Sequence, residues 1–290
     1  MPDYPIERLD VPVFDAHTHL DYVVRTMRTT PSGGGDDVVV ETEPTDTFVA
    51  GVLAAAREVG VVAAVTVGTS VEESAWCVAA AQRHDGLYAA VGVHPTEVRG
   101  LTDADYAALE ALARNDRVVA VGETGLDYHW DDTTPAEQDE HFRRHIALAK
   151  AVDKPLMIHD REAHADVLRI LREEGAPDQV VFHSFSGDEA MARECVAAGY
   201  VLSFSGVVSF KNAPDLRAAA AVTPLELMLV ETDAPYLTPH PYRGRPNAPR
   251  LLPLTVRALA AAAGQSPDEL AAAVLDNGHR LFAMSDLPRY

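Results

Sequence analysis

Lysine is almost absent from this sequence. Among 24 basic residues, Lys150, Lys154 and Lys211 are the lysines and all the others are arginines, set against 44 acidic residues and a formal net charge of −20. A surface that negative repels nucleic acid, whose binding rests on Lys and Arg contacts to phosphate, so a polyanionic substrate would need a local basic patch, salt screening or metal ions. Low lysine with abundant Asp and Glu resembles the composition of salt-adapted proteins, and an Arg- and Ala-rich chain from a GC-rich genome would share it. Cysteine is scarce as well. Cys77 and Cys195 lie far apart and form no C-x-x-C pair, which excludes a disulfide framework and a thiolate zinc site and leaves any metal to His, Asp and Glu. The sequence has no apolar run of about 18 residues and no basic-then-apolar leader, so neither a membrane span nor a secretory signal is indicated. A soluble, cytoplasmic protein without membrane contact is expected.

What is present is a regular alternation. With 47% hydrophobic residues over 290 positions the chain has material for a sizeable core, and its length admits one α/β barrel domain over 1–290. Short apolar, β-branched runs alternate with helical stretches, the pattern of parallel strands buried on both faces and joined by crossover helices. Strands are expected at 13–20, 61–67, 87–93, 118–122, 155–159, 179–183, 200–205 and 227–231. Helices are expected at 48–59, 72–84, 103–114, 135–152, 163–174, 188–198 and 213–222, with a C-terminal pair starting near Pro249 and Ser266. Eight such units predict an α/β fold, a single (β/α)8 TIM-like barrel whose site lies at the C-terminal ends of the strands. The regularity breaks at 25–47, a loop insertion after strand one that contains Pro31-Ser32-Gly33-Gly34-Gly35-Asp36-Asp37. Loops of that length are lids over a site or surface insertions, and the sequence leaves both open.

Polar residues collect where the strands end. The first strand finishes in His17-Thr18-His19; alternation along a strand points both imidazoles the same way, about 7 Å apart along the backbone, within reach of one metal ion. Later strand ends carry His94, Glu123, His159 next to Arg161, His183 and Asp233. Each has an ordinary structural explanation alone: a turn residue before proline, a helix cap, an ion-pair partner, a satisfied core histidine. In a barrel all of them converge on one mouth. Burying that many titratable groups together is costly unless something neutralises them, and divalent cations do so while orienting water and substrate. Imidazole with carboxylate suits Zn, Mn, Fe, Co or Ni and leans away from Mg. Two ions would need a bridging ligand, and Glu123 is central in the strand order.

These stretches resemble the TatD-like metal-dependent deoxyribonucleases, within the amidohydrolase-type barrels. The matching segments are Asp15-Ala16-His17-Thr18-His19-Leu20, Gly92-Val93-His94-Pro95, Gly122-Glu123-Thr124-Gly125-Leu126-Asp127-Tyr128, Ile158-His159-Asp160-Arg161, His183-Ser184-Phe185-Ser186-Gly187, Ser203-Phe204-Ser205-Gly206, Glu231-Thr232-Asp233-Ala234-Pro235-Tyr236-Leu237 and Tyr242-Arg243-Gly244-Arg245-Pro246-Asn247. The resemblance implies two divalent ions, Mg, Mn or Zn. His17, His19, Glu123 and Asp233 would hold one, and Glu123, His159 and His183 the other. Asp233 would also orient or deprotonate the attacking water, with Glu123 beside it as a catalytic group. His94, Tyr128 and Arg161 would contact substrate, Arg243 and Arg245 would clamp phosphate, and Tyr128 and Tyr242 could stack bases or simply pack. The implied activity is hydrolysis of DNA phosphodiesters by metal-activated water, with single-stranded or frayed ends favoured and no obligate protein partner. A small-molecule amidohydrolase, esterase or lactonase would use the same constellation, and a non-catalytic binding protein is the remaining alternative. Ser184 stands where this family commonly has Cys, and the 25–47 insertion is longer than the family's usual connection.

Overall fold

A computed structural model describes residues 5–23, 45–284 and 286–289. Its centre is one parallel sheet of eight strands in sequential order, each hydrogen-bonded to the next. The strands are β1 (Val13–Thr18), β2 (Val61–Val67), β3 (Leu87–Val91), β4 (Val118–Asp127), β5 (Leu156–Arg161), β6 (Val180–Phe182), β7 (Val201–Phe204) and β8 (Met228–Val230). Helices between them are α1 (Asp46–Glu58), α2 (Val71–Arg83), α3 (Asp103–Ala113), α4 (Pro135–Val152), α5 (His164–Glu174), α6 (Glu189–Ala197) and α7 (Pro214–Val222); α8 (Leu252–Ala263) and α9 (Pro267–Phe282) follow β8. No helix among the described residues is long and apolar enough to cross a membrane.

The sheet curls until its first and last strands meet. The Asp233 N–H donates to the His17 carbonyl oxygen at 2.9 Å, and the His19 N–H to that of Ala234 at 2.8 Å. A side-chain clasp reinforces the seam: buried Asp15 accepts from the Thr232 N–H at 2.9 Å and the Thr232 hydroxyl at 2.5 Å. The expected (β/α)8 barrel is therefore the observed architecture, and every strand end named above opens on one mouth. Strand β3 reads as an unbroken apolar run because helices cover its outer face and every residue in it is buried, and β1 is buried throughout as well although it carries Asp15, His17 and Thr18. Helix starts follow local chemistry. Thr102, Thr134 and Ser266 form capping boxes with Asp105, Glu137 and Glu269, satisfying orphan N–H groups at the N-termini of α3, α4 and α9.

Most boundaries fall within two residues of the sequence expectation, and two differences matter here. Helix α1 begins at Asp46, so Asp46 and Thr47 belong to it rather than to the 25–47 insertion; residues 24–44 lie outside the described residues. Strand β4, expected to stop at Gly122, runs on to Asp127, which pairs with Arg161. The reason is a bulge. Val121 pairs with Leu156 and Thr124 with Ile158, so β4 spends one residue more than β5 between these pairs, then regains register.

Candidate metal centre

Glu123 occupies that bulge, and the glycines around it are a steric requirement. A Cβ on Gly122, at φ +152°, would collide with the Met157 carbonyl oxygen, and one on Gly125, at φ +137°, with that of His159. Only glycine lets β4 and β5 approach this closely while the extra residue is accommodated. Strand β1 has a similar irregularity between Asp15 and Thr18. There it delivers His17 and His19 with their Nε2 atoms 3.2 Å apart.

The far nitrogen of each imidazole decides what the near one can do. His19 Nδ1 faces the Val67 carbonyl oxygen at 3.1 Å, His183 Nδ1 faces Glu231 Oε1 at 3.2 Å, His159 Nε2 faces Asp127 Oδ2 at 3.0 Å, and His17 Nδ1 faces the Met157 thioether at 3.2 Å. All four partners are acceptors, so the far nitrogen carries the proton and the near nitrogen of a neutral ring is a bare lone pair. Those lone pairs converge on carboxylate oxygens. His17 Nε2 and His19 Nε2 each lie 3.5 Å from Glu123 Oε2, and 3.8 and 3.5 Å from Asp233 Oδ1. His159 Nδ1 and His183 Nε2 lie 2.7 and 2.8 Å from the other oxygen, Glu123 Oε1.

Acceptors packed against acceptors repel unless positive charge sits among them. Burial opposes charge at each of these groups. Even so, Glu123 and Glu231 push His183 well above the usual imidazole range, and His183, His159 and His17 hold Glu123 well below the usual carboxylate range. His19 is pushed up to about 9 against its burial, by Asp233 and Glu123. Glu123 Oε2 is buried and has no hydrogen-bond donor. A divalent ion satisfies all of this at once, and the spacing suits one: a tetrahedral ion with bonds near 2.1 Å keeps its ligand atoms about 3.4 Å apart. The separations measured around His17 and His19 run from 3.2 to 3.8 Å. The trios His17, His19, Asp233 and Glu123, His159, His183 each bring their donor atoms within 4.8 Å of one another.

His94 is turned the other way. Its Nδ1 accepts from the Thr96 N–H at 3.2 Å and faces the Thr96 hydroxyl at 2.7 Å. Burial pushes its pKa down to about 3, so the neutral ring presents Nε2–H, 3.8 Å from Glu123 Oε1. It offers a proton where the other four offer lone pairs. His17 apart, the converging groups open on a cavity of about 830 Å³ that Arg161 also lines. The other expected substrate contacts are not brought there. The Tyr128 hydroxyl donates to Asp166 Oδ2 at 3.1 Å, the Arg243 guanidinium stacks 3.9 Å over the Phe210 ring, and neither they nor Arg245 line this cavity. Conversely, Asp127, Glu231 and Met157, which orient three of the imidazoles, have no assigned role in the sequence reading. Two of them lay in plain view, in the same short motifs as Glu123 and Asp233.

A family model described as TatD related DNase matches residues 14–283. The chain belongs to the TatD-related DNase family. Its relatives include the metal-dependent hydrolase TatD of Mycobacterium tuberculosis, 48% identical over 275 residues, with 93% of this chain and 97% of the relative covered. The 3'-5' ssDNA/RNA exonuclease TatD of Cronobacter sakazakii is 38% identical over 243 residues, covering 81% of this chain and 92% of that protein. Among solved structures, the TatD homologue YJJV of Escherichia coli K12 superposes with a TM-score of 0.80 at 30% identity, over 95% of this chain and 98% of its own. As a TatD-family protein the chain is a metal-dependent hydrolase, and its His, Asp and Glu clusters are able to bind metal.

Proposed function

We propose that this TatD-family hydrolase cleaves phosphodiester bonds of single-stranded nucleic acid, DNA foremost, from the 3' end. The observation that carries the reading is the convergence of four imidazole lone pairs on the two oxygens of Glu123. On this reading His17, His19, Glu123 and Asp233 would hold one divalent ion, and Glu123, His159 and His183 would hold a second. The imidazole-rich donor set favours Zn or Mn over Mg. Bound there, two such ions acidify water and neutralise charge on phosphoryl oxygens. The chain's own groups do the rest. Asp233, at the mouth and 3.5 Å from His19 Nε2, accepts the proton of the attacking water. His94 donates from Nε2–H to a phosphoryl oxygen, and the Arg161 guanidinium, exposed at the end of β5, meets a phosphate bidentately. The direction of cleavage follows the name of the Cronobacter relative.

Labelled single strands incubated with Mn, Zn or Mg test this. The wild type is expected to shorten them stepwise and to stop when the metal is chelated. Glu123→Ala should lose about 100-fold or more of the rate while still melting cooperatively. Intact strands with the folded, metal-loaded wild type would refute the reading. A small neutral ester, amide or lactone is the second reading, favoured by Glu97, Asp160 and Asp215 on the cavity wall against one Arg among the described residues. Turnover of such substrates orders of magnitude above that of nucleic acid would establish it.

A further inference from the structure

Three large apolar side chains among the described residues stand out into solvent: Phe48, Trp130 and Tyr236. One exposed aromatic needs no explanation. Here, however, two of the three, each 52% exposed, line the 830 Å³ cavity of the candidate metal centre. Their places in the fold are complementary. Trp130 follows β4 and Tyr236 follows β8, and in an eight-stranded barrel of sequential order these strands lie across the axis from each other. The two rings therefore stand on opposite lips of the mouth that Glu123 also lines.

Both are anchored by the segments that carry the site. The backbone N–H groups of His129 and Trp130 donate to Asp127 Oδ1 at 2.9 and 3.3 Å, while the other oxygen of the same carboxylate orients His159. The Tyr236 N–H donates to the Asp233 carbonyl oxygen at 2.9 Å, its own carbonyl accepts from buried Asn247 Nδ2 at 2.6 Å, and its ring lies edge-on to His19 with centroids 6.2 Å apart. The Arg161 guanidinium sits 5.7 Å from the centroid of the Trp130 ring and, among the described residues, is the one Lys or Arg side chain lining the cavity. A chain of charge −20 whose described residues place one guanidinium in the cleft is poorly equipped to hold a polyanion by charge. Aromatic faces hold unpaired bases without needing charge or sequence.

We propose that Trp130 and Tyr236 are the base-stacking platforms of this enzyme, each holding one unstacked base on either side of the bond to be cleaved, so that strand binding rests on stacking more than on phosphate contacts. This rests on the nucleic-acid reading above and names what selects the substrate: a single strand with accessible bases, of any sequence.

The test uses the metal-loaded protein, a short single-stranded DNA and the same strand with abasic sites at its terminal positions. Trp130→Ala and Tyr236→Ala are each expected to raise KM about 5- to 150-fold, with the loss in KM rather than in kcat, and the Phe variants are expected to restore most of it. The abasic strand should show a similarly raised KM that Trp130→Ala does not worsen. Intrinsic fluorescence should be quenched by the normal strand in the wild type and not in Trp130→Phe, which retains only half-buried Trp76. The logarithm of KM against the logarithm of salt should have a slope of about 2 or less, since a single strand changes by only about 0.7 per phosphate contact. Normal KM values for both Ala variants and for the abasic strand, or a steep salt slope, would overturn the stacking proposal while leaving the nuclease reading intact. Failure of the wild type to bind or cleave any strand would overturn both.

Discussion

Glu231 is completely buried and accepts from three sides: His183 Nδ1–H at 3.2 Å, the Ser184 N–H at 2.8 Å and the Ser203 hydroxyl at 2.5 Å. It does not open on the cavity, yet it decides which nitrogen of His183 is free. Replacing it by Gln sets an amide NH2 against one of these donors and removes the charge that raises the ring's basicity. Glu231→Gln is therefore expected to weaken metal binding about 10- to 100-fold, read by metal titration, while the far-ultraviolet circular dichroism stays that of the wild type. Unaltered affinity would show that Glu231 serves packing alone. At this scale the ligand residues were legible in the sequence and their orienters were not. A histidine at a strand end announces itself by type and place. Whether its free nitrogen faces inward depends on a rotamer and on a partner many residues away, as with Glu231 beside His183 or Met157 beside His17, and local pattern carries no trace of that. His94 shows the same gap, since nothing in Gly92-Val93-His94-Pro95 says that Thr96 will take its Nδ1.

Helix α4 supports the mouth from outside through His145. Its Nδ1–H donates to the His141 carbonyl oxygen at 2.8 Å, and its Nε2 accepts from the Val93 N–H at 3.2 Å, which fixes the chain just before His94. The Tyr106 hydroxyl lies 3.3 Å from Nδ1, and Arg144 lies over the Tyr106 ring. Burial pushes His145 down to about 4 from 6.5. Because the folded-state value is the lower one, the neutral ring contributes its full stabilisation above about pH 6.5 and loses it as pH falls toward 4, in total about 3 kcal/mol. His145→Gln keeps an acceptor for Val93 and does not titrate. The stability gap between wild type and variant, measured by urea unfolding, should therefore narrow by up to about 3 kcal/mol between pH 7.5 and 4.5; a constant gap would mean that the ring is not held neutral. At the scale of elements most of the barrel was readable, because doubly buried parallel strands are unbroken apolar runs and capping boxes such as Thr134 with Glu137 mark where helices begin. Strand β4 was read short for a physical reason. Gly122 and Gly125 look like terminators, whereas here they allow a bulged strand to run on against the β5 backbone.

Over the whole molecule, two kinds of negative charge respond differently to salt. Most of the −20 lies on the surface, partly in Arg-centred networks such as Arg143 with Asp139, Glu173 and Glu174 at 2.5 to 2.6 Å. Exposed pairs like these contribute little individually, and the remaining acidic excess repels itself, so added KCl should stabilise the fold by screening. The carboxylates of Glu123, Glu231 and Asp233 are buried at the mouth, where screening by mobile ions is weak. A cation held inside relieves them in a way that KCl does not. One divalent ion at a hundred times its dissociation constant adds about 2.7 kcal/mol, which for a chain of this size raises Tm by about 5–10 °C. Melting curves with chelator and with Mn or Zn, each at about 0.05 M and 1 M KCl, should then show Tm rising with salt in both forms while the gap between them persists. A gap that closes in molar KCl would place those carboxylates within reach of solvent ions. The absence of any gap would mean that the folded chain has no preference for the metal, and the convergence of lone pairs on Glu123 would have lost its explanation.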